Sequence, residues 1–340
     1  MPNLVNKRGW FYLLSLALVL PGLIAILFGG LRFGIDFTGG STWDLYFTNT
    51  PTSAEVEKVI ITAENNYLSQ LRNKQPRSDA ENKLLTQRDV QAFTAIATPS
   101  DTGLIILRTS EISGNTDERN LLDNALKTAY PDNYTPGRTS ILTVGSVVAN
   151  EIGVRTFLAI ALISLATLAY LAWSFRNVRK PLRYAASTVG AMVYNVLLVI
   201  GIFAVLGAFF KVEIDSLFIT ALLTVVGFSN HDTIVVFDRI RENELRNPGE
   251  SMDSVVNYSL WQTLARSINT NLTIIFPLIA LYLFGGASIR TFVLALMIGM
   301  ISVTYSSIFN ASMFLVSWEK NDIGRFLGRK NIRTTSAATR

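Results

Sequence analysis

The chain has 340 residues, 49% of them hydrophobic and 16% charged, with a net charge of +5, a pI near 9.4 and a mean hydropathy of +0.34. Soluble domains carry about a quarter charged residues, so this composition excludes an ordinary soluble protein. There is no cysteine; that excludes disulfides and thiolate metal sites and leaves the compartment of any loop undetermined by redox logic.

Apolar runs near 20 residues read as membrane helices. Residues 1–33 hold the first, Trp10 to Leu31, with Pro21 as an expected kink. Its apolar core is too long for a signal peptide and lacks a small-residue cleavage site, so it reads as an uncleaved anchor.

Residues 34–150 have the composition of a soluble domain, with acids outnumbering bases. Gly34, Asp36, Gly39 and Gly40 predict a tight turn at the membrane surface. Ser41 to Thr48 alternates, with Trp43, Leu45 and Phe47 on one face, and reads as a strand. Thr52 and Glu55 form a capping-box pattern before a helix to about Leu71. Asn73 to Asp89 is polar and reads as a loop or a short extra helix. Ala92 to Thr98 and Leu104 to Thr109 read as two strands of a hairpin. Asp117 to Tyr130 predicts a second helix, and Ser140 to Val148 a closing strand. The order β-α-β-β-α-β is that of a ferredoxin-like α+β domain. It carries no metal cluster, nucleophile constellation or phosphate loop, which favours a binding or moving part over an enzyme.

Residues 151–317 hold five further spans: about Val154 to Phe175, Tyr184 to Phe210, Ser216 to Phe237, about Leu260 to Phe284, and Phe292 to Val316. The fifth of the six borrows a polar first third to reach spanning length. Residues 318–340 form a basic tail. Lys7 and Arg8, the Arg176–Arg183 loop, the Arg239–Arg246 loop and the tail fall on one side if six helices alternate. The positive-inside rule makes that side the cytoplasm, with both termini there. The positive charge is then a topology signal, and nucleic-acid binding is a poor explanation of it.

Asp232 lies inside the fourth span, where a carboxylate costs about 2.5–3.5 kcal/mol and is functional by default. Arg266 lies about as far inside the fifth span, so the two are expected at similar depth, paired directly or through water. Gln262, Thr263, Arg266, Asn269, Thr270 and Thr273 share a helical face, a polar stripe expected to turn inward or toward water. Ser302, Ser306 and Asn310 repeat every four residues beside Tyr305 and serve packing or a relay. Tyr194 and Asn195 add polar groups to the third span. His231, the one histidine, points about 100° away from Asp232 on a helix and is either a second relay group or a packing residue. A structural ion pair between Asp232 and Arg266 is the plainer alternative.

Four runs together resemble the SecF family, the smaller subunits of the bacterial SecDF export machinery within the resistance-nodulation-division superfamily. They are Gly34 to Gly40 (GIDFTGG); Gly227-Phe228-Ser229 with Asp232 to Glu242; Ser259-Leu260 with Gln262-Thr263-Leu264 and Arg266; and Thr304 to Phe309. The resemblance spans all six helices. It implies that Asp232 is a proton-carrying carboxylate and Arg266 its basic counterpart. It further implies protons as the coupling ion with no other cofactor, and SecD as partner, bringing six more helices. The SecYEG translocon, a translocating unfolded polypeptide and the lipid of the bacterial inner membrane complete the expected surroundings. His231 stands where the family usually has asparagine, and Asn230 where it usually has an apolar residue. The rival functions are a proton-coupled small-molecule exporter, which usually carries twelve helices in one chain, and an anchored sensor, which needs one or two.

Overall fold

The computed structural model describes residues 2–90, 93–101, 103–112, 116–174 and 181–320. The expected end of the second span at Phe175, most of the basic loop after it and the tail beyond Lys320 lie outside the described residues.

Helix α1 (Arg8–Leu27) continues through Pro21 and delivers the chain to a two-residue strand β1 (Arg32–Phe33) and a one-turn helix α2 (Ile35–Thr38). An α/β unit follows. Strand β2 (Gly40–Tyr46) leads to α3 (Ser53–Asn73), and the Thr52–Glu55 capping box forms as expected. The polar stretch after α3 is a short helix, α4 (Asp79–Val90). Then come β3 (Ala95–Asp101), β4 (Leu104–Thr109), α5 (Thr116–Ala129) and β5 (Ser140–Val144). The sheet order is β3-β4-β2-β5, antiparallel at every pairing. The alternation of β2 works as read: Trp43, Leu45 and Phe47 are buried with Ile60, Ile105, Leu107, Leu122 and Leu126 between the sheet and its helices.

The closing strand stops at Val144 rather than Val148. Ser146 to Val148 instead open helix α6 (Ser146–Ser174), because Glu111 accepts from the Ser146 N–H at 3.1 Å and fixes the helix start. The boundary between the α/β unit and the second long helix therefore falls near Gly145, not 150. Residues 41–146 enclose a core of their own, and a fragment of that length is expected to fold without the long helices. A disordered circular dichroism spectrum of the fragment would reject that expectation.

The long helices are completed by α7 (Pro181–Phe210), α8 (Ser216–Arg246), α9 (Met252–Phe284) and α10 (Ala287–Tyr305), with strand β6 (Glu213–Ile214) ahead of α8. A π turn (Ser306–Asn310) joins α10 to α11 (Ala311–Glu319). Among the described residues six helical segments are long and apolar enough to cross a bilayer. The fifth is one continuous helix, polar first third included. Helices α7, α8 and α10 form the buried centre, with Val199, Phe203, Phe218, Val225 and Val303 among its side chains. Helix α6 lies outside, its Val154, Leu158, Leu162 and Leu165 exposed. Gly22 and Gly201 let α1 and α7 touch: a Cβ added at Gly22 would stand 2.3 Å from the Gly201 Cα. Small residues at crossings are how membrane helices approach closely.

Candidate functional site

The α/β unit is tied to the long helices at the start of α8. Strands β1 and β6 pair in parallel, Arg32 with Glu213 and Phe33 with Ile214. The Gly34 N–H donates to the Ile214 carbonyl at 2.8 Å, and an added Cβ at Gly34 would sit 3.0 Å from that oxygen. Gly39 and Gly40 take φ of +74° and +136°, a backbone that favours glycine. The expected tight turn is thus present, but Asp36 does more than bend it. Its carboxylate accepts from the Ser216 N–H at 2.7 Å, beside Asp215, which accepts from the Phe218 N–H at 2.8 Å. Two acids therefore cap the positive end of α8. Burial, with the nearby Asp36 charge adding to it, holds Asp215 above the usual carboxylate range. Burial does the same to Glu213, although Arg108 of β4 pairs with it at 2.6 Å and opposes the shift.

Deeper in the helices, α8 buries Ser229, Asp232, Thr233 and Val236, one helical face. Asp232 is 7% exposed and is the one buried carboxylate in the long helices among the described residues. Its Oδ2 accepts from the Ser307 hydroxyl at 2.5 Å and, at the outer limit of a hydrogen bond, from the Asn271 amide at 3.5 Å. One turn earlier on α8, Ser229 accepts from Asn195 of α7 at 2.9 Å, and Asn195 in turn accepts from Ser302 of α10 at 2.6 Å. Three helices are thus laced together next to the carboxylate by neutral polar groups, which can exchange donors and acceptors without charge separation.

The structure does not bring Asp232 and Arg266 together. Arg266 is exposed on the outward face of α9 and forms no ion pair with Asp232 among the described residues. The reason is helix phase. Asn271, which does face Asp232, is five residues on from Arg266, about 140° round the helix. Helix α9 carries two polar stripes. Ser259, Thr263, Ser267 and Asn271 repeat every four residues and are buried. Arg266, Asn269, Thr270 and Thr273 are exposed. The stripe expected to turn inward or toward water therefore faces mostly away from the other helices of this chain. Its members Gln262 and Thr263 are exceptions: Gln262 accepts from Arg239 and from Asn243 at 3.0 Å, and Thr263 donates back to the Ser259 carbonyl at 3.0 Å.

His231 is also separate from Asp232. It is exposed and lines a groove of about 370 Å³ with Ala166, Thr167, Tyr170, Gly227, Asn230 and Ile234, between α6 and α8. Asn230 donates to Thr167 across that groove at 3.1 Å. On the other side of the bundle, the Tyr305 hydroxyl donates to the Phe11 carbonyl at 2.9 Å and meets Ser15 of α1 at 3.0 Å. Ser306 turns back on its own helix toward the Val303 carbonyl. Ser307 and Asn271 are the partners that sequence reasoning missed. The four-residue repeat ending at Asn271 was legible; the role of Ser307 depends on a π turn that leaves no sequence signature.

Residues 124–321 match the family described as "Protein export membrane protein SecD/SecF, C-terminal". The chain is 47% identical over 97% of its length to the protein translocase subunit SecF of Thermobaculum terrenum, covering 98% of that protein. It is 35% identical over 95% of its length to the SecF subunit of Anaerolinea thermophila, covering 96% of it. Among solved structures, the crystal structure of SecDF, a translocon-associated membrane protein from Thermus thermophilus, superposes with a TM-score of 0.73 at 26% identity. That match covers 94% of this chain and 39% of the SecDF chain, so the chain spans about two-fifths of the fused protein. With the Asp232 run, the GIDFTGG turn and six apolar helices all in place over nearly the full length of these relatives, the chain belongs to the SecF family of protein translocase subunits, multi-pass membrane proteins of protein transport.

Proposed function

We propose that this chain is the non-enzymatic SecF half of a proton-driven export machine in the bacterial inner membrane, with both termini cytoplasmic. The observation that carries the proposal is Asp232: a buried carboxylate among the long helices, held by a hydroxyl and an amide rather than by a fixed counter-charge. An ion pair would lock one protonation state. Neutral partners leave both states within reach, since a hydroxyl donates to a carboxylate and accepts from a carboxylic acid. One elementary charge crossing the membrane field gains about 2.3 kcal/mol per 100 mV, enough to bias a two-state helix packing.

The α/β unit, with its antiparallel order β3-β4-β2-β5 and two main helices, is read as the ferredoxin-like extracytoplasmic module. It is joined to α8 through the β1–β6 strands, the Asp36 cap and the Arg108–Glu213 pair, so a shift of α8 reaches it directly. The outward polar stripe on α9 is read as the surface covered by SecD, because exposed charge and amide groups do not face lipid at membrane depth. Bacillus subtilis SecDF, 27% identical to this chain over 94% of its length, supports that partnership by carrying both halves in one chain. The SecYEG translocon and the unfolded polypeptide it exports complete the proposal; neither a metal, a further cofactor nor nucleic acid enters it. Arg266 is the basic group presented to the partner, and His231 lies outside the proton path.

Export of a precursor into inverted membrane vesicles holding this chain and SecD tests the reading. The stimulation they give is expected to vanish when a protonophore collapses the gradient at constant ATP. Undiminished stimulation would refute the proton drive.

A further inference from the structure

The last long helix is not α-helical throughout. After Tyr305 the chain makes one π turn, Ser306–Asn310, and the Ala311 N–H reaches back five residues to the Ser306 carbonyl. A π turn carries one residue more than the α-helix around it and is less favourable, so something must hold it. No proline or glycine lies between Ile301 and Lys320 to force the bulge. Side-chain contacts hold it instead, and they point in two directions. Toward α8, Ser307 donates to Asp232 at 2.5 Å. Toward α1, Asn310 accepts from Ser15 at 2.7 Å, and Phe309 stacks on Phe11 with centroids 4.4 Å apart and planes 15° from parallel. The extra residue is what allows the segment to face both helices: Ser307, Ile308 and Asn310 are all buried.

We propose that this π turn is the element that reads the charge of Asp232 and passes it to α1, with Ser307 and Asn310 as positioning residues at its two ends. The proposal rests on the reading of Asp232 as a proton carrier. An ionised Asp232 can only accept, so Ser307 must donate to it. A protonated Asp232 becomes a donor, and the Ser307 hydroxyl is released to the carbonyl of Val303, the usual site for a serine four residues on in a helix. The contact holding one end of the bulge then changes character. Relaxation to an α-helix removes one residue from the turn, a step of about 100° and 1.5 Å between the segments on either side. Asn310 and Phe309 cannot keep both Ser15 and Phe11 through such a step. The two arrangements are therefore discrete, and α1 is the helix that registers the difference. Helix α1 runs on into β1 and the GIDFTGG turn, which carry the α/β unit.

The test uses the full chain with SecD in proteoliposomes. The absence of native cysteine allows Gln70→Cys on α3 and Phe209→Cys at the end of α7 to take spin labels at unique sites, both exposed. Asp232→Asn, which holds the position neutral, is expected to shift the label distance distribution. In an Asn310→Ala background, and likewise in Ser15→Ala, the same Asp232→Asn change should produce less than about a third of that shift. Asn310→Ser, which can still accept from Ser15, should restore most of it. A purely structural Asn310 would alter the starting distribution without erasing the response. An equal response to Asp232→Asn in all backgrounds overturns the coupling role. Should Asp232→Asn block gradient-driven export yet move no label even with Asn310 present, this inference fails and the proton-carrier reading stands. Normal export by Asp232→Asn removes both.

Discussion

Asp232→Asn is expected to abolish the gradient-dependent part of export while leaving the chain inserted and associated with SecD. Asparagine has nearly the shape of aspartate and brings no charge, so the chain should still insert and assemble, held in the arrangement of the neutral state. What disappears is the only buried carboxylate among the described long-helix residues. At about 2.3 kcal/mol per charge per 100 mV, the field biases a two-state equilibrium by roughly 50-fold, and this is the factor the variant forfeits. Precursor translocation into inverted vesicles, measured with and without an imposed gradient, reads it directly. Translocation by the variant that still rises with the gradient as in the parent would end the proposal for Asp232. Residual export that does not depend on the gradient is expected to persist, so the comparison is made at constant ATP.

How much of this site was legible beforehand depends on which kind of physics set each feature. The six spans follow from apolar length alone, and each has a matching helix among the described residues. The strands of the α/β unit follow from alternation, and Trp43, Leu45 and Phe47 are buried as their spacing requires. Asp232 stands out because charge in an apolar run is costly wherever it points. Rotation about a helix axis is another matter. In a soluble protein the polar stripe of a helix faces water, and the apolar stripe faces the core. In a membrane bundle both faces are mostly apolar, and α9 carries polar residues on two of them. Equal depth for Asp232 and Arg266 was an expectation from their similar distances to the connecting loop. Facing one another was a further step that depth does not supply, and Asn271 occupies the place instead. The π turn was beyond reach for a related reason. Four-residue spacing of Ser302, Ser306 and Asn310 presumes unbroken α geometry, and the inserted residue redirects the side chains after Tyr305, so that Ser307 rather than Ser306 meets the carboxylate. The Ser146 helix start was missed because its cap, Glu111, is distant in sequence.

Arg266 gives a prediction whose sign differs between the lone chain and the complex. On the chain by itself the guanidinium is exposed on α9, and at the membrane depth proposed for it a charge costs about 2.5–3.5 kcal/mol on insertion scales. Arg266→Leu should therefore leave the isolated subunit as stable as before, or more so, in thermal unfolding in detergent. The complex should respond in the opposite sense. If α9 presents Arg266 to an acid of SecD, its removal strands that acid, and breaking a buried pair costs about 3–5 kcal/mol. Association should weaken by roughly two to three and a half orders of magnitude, measurable by fluorescence titration of labelled SecD into proteoliposomes. Arg266→Lys should recover part of the loss, because the charge survives while the planar fork that bonds a carboxylate at two points does not. The alternative, in which Arg266 serves Asp232 from within its own chain, makes a different demand. Arg266→Leu would then destabilise the isolated subunit, and a second substitution, Asp232→Asn, would relieve it. Unchanged SecD affinity together with that rescue would move Arg266 from the partner surface back to the carboxylate.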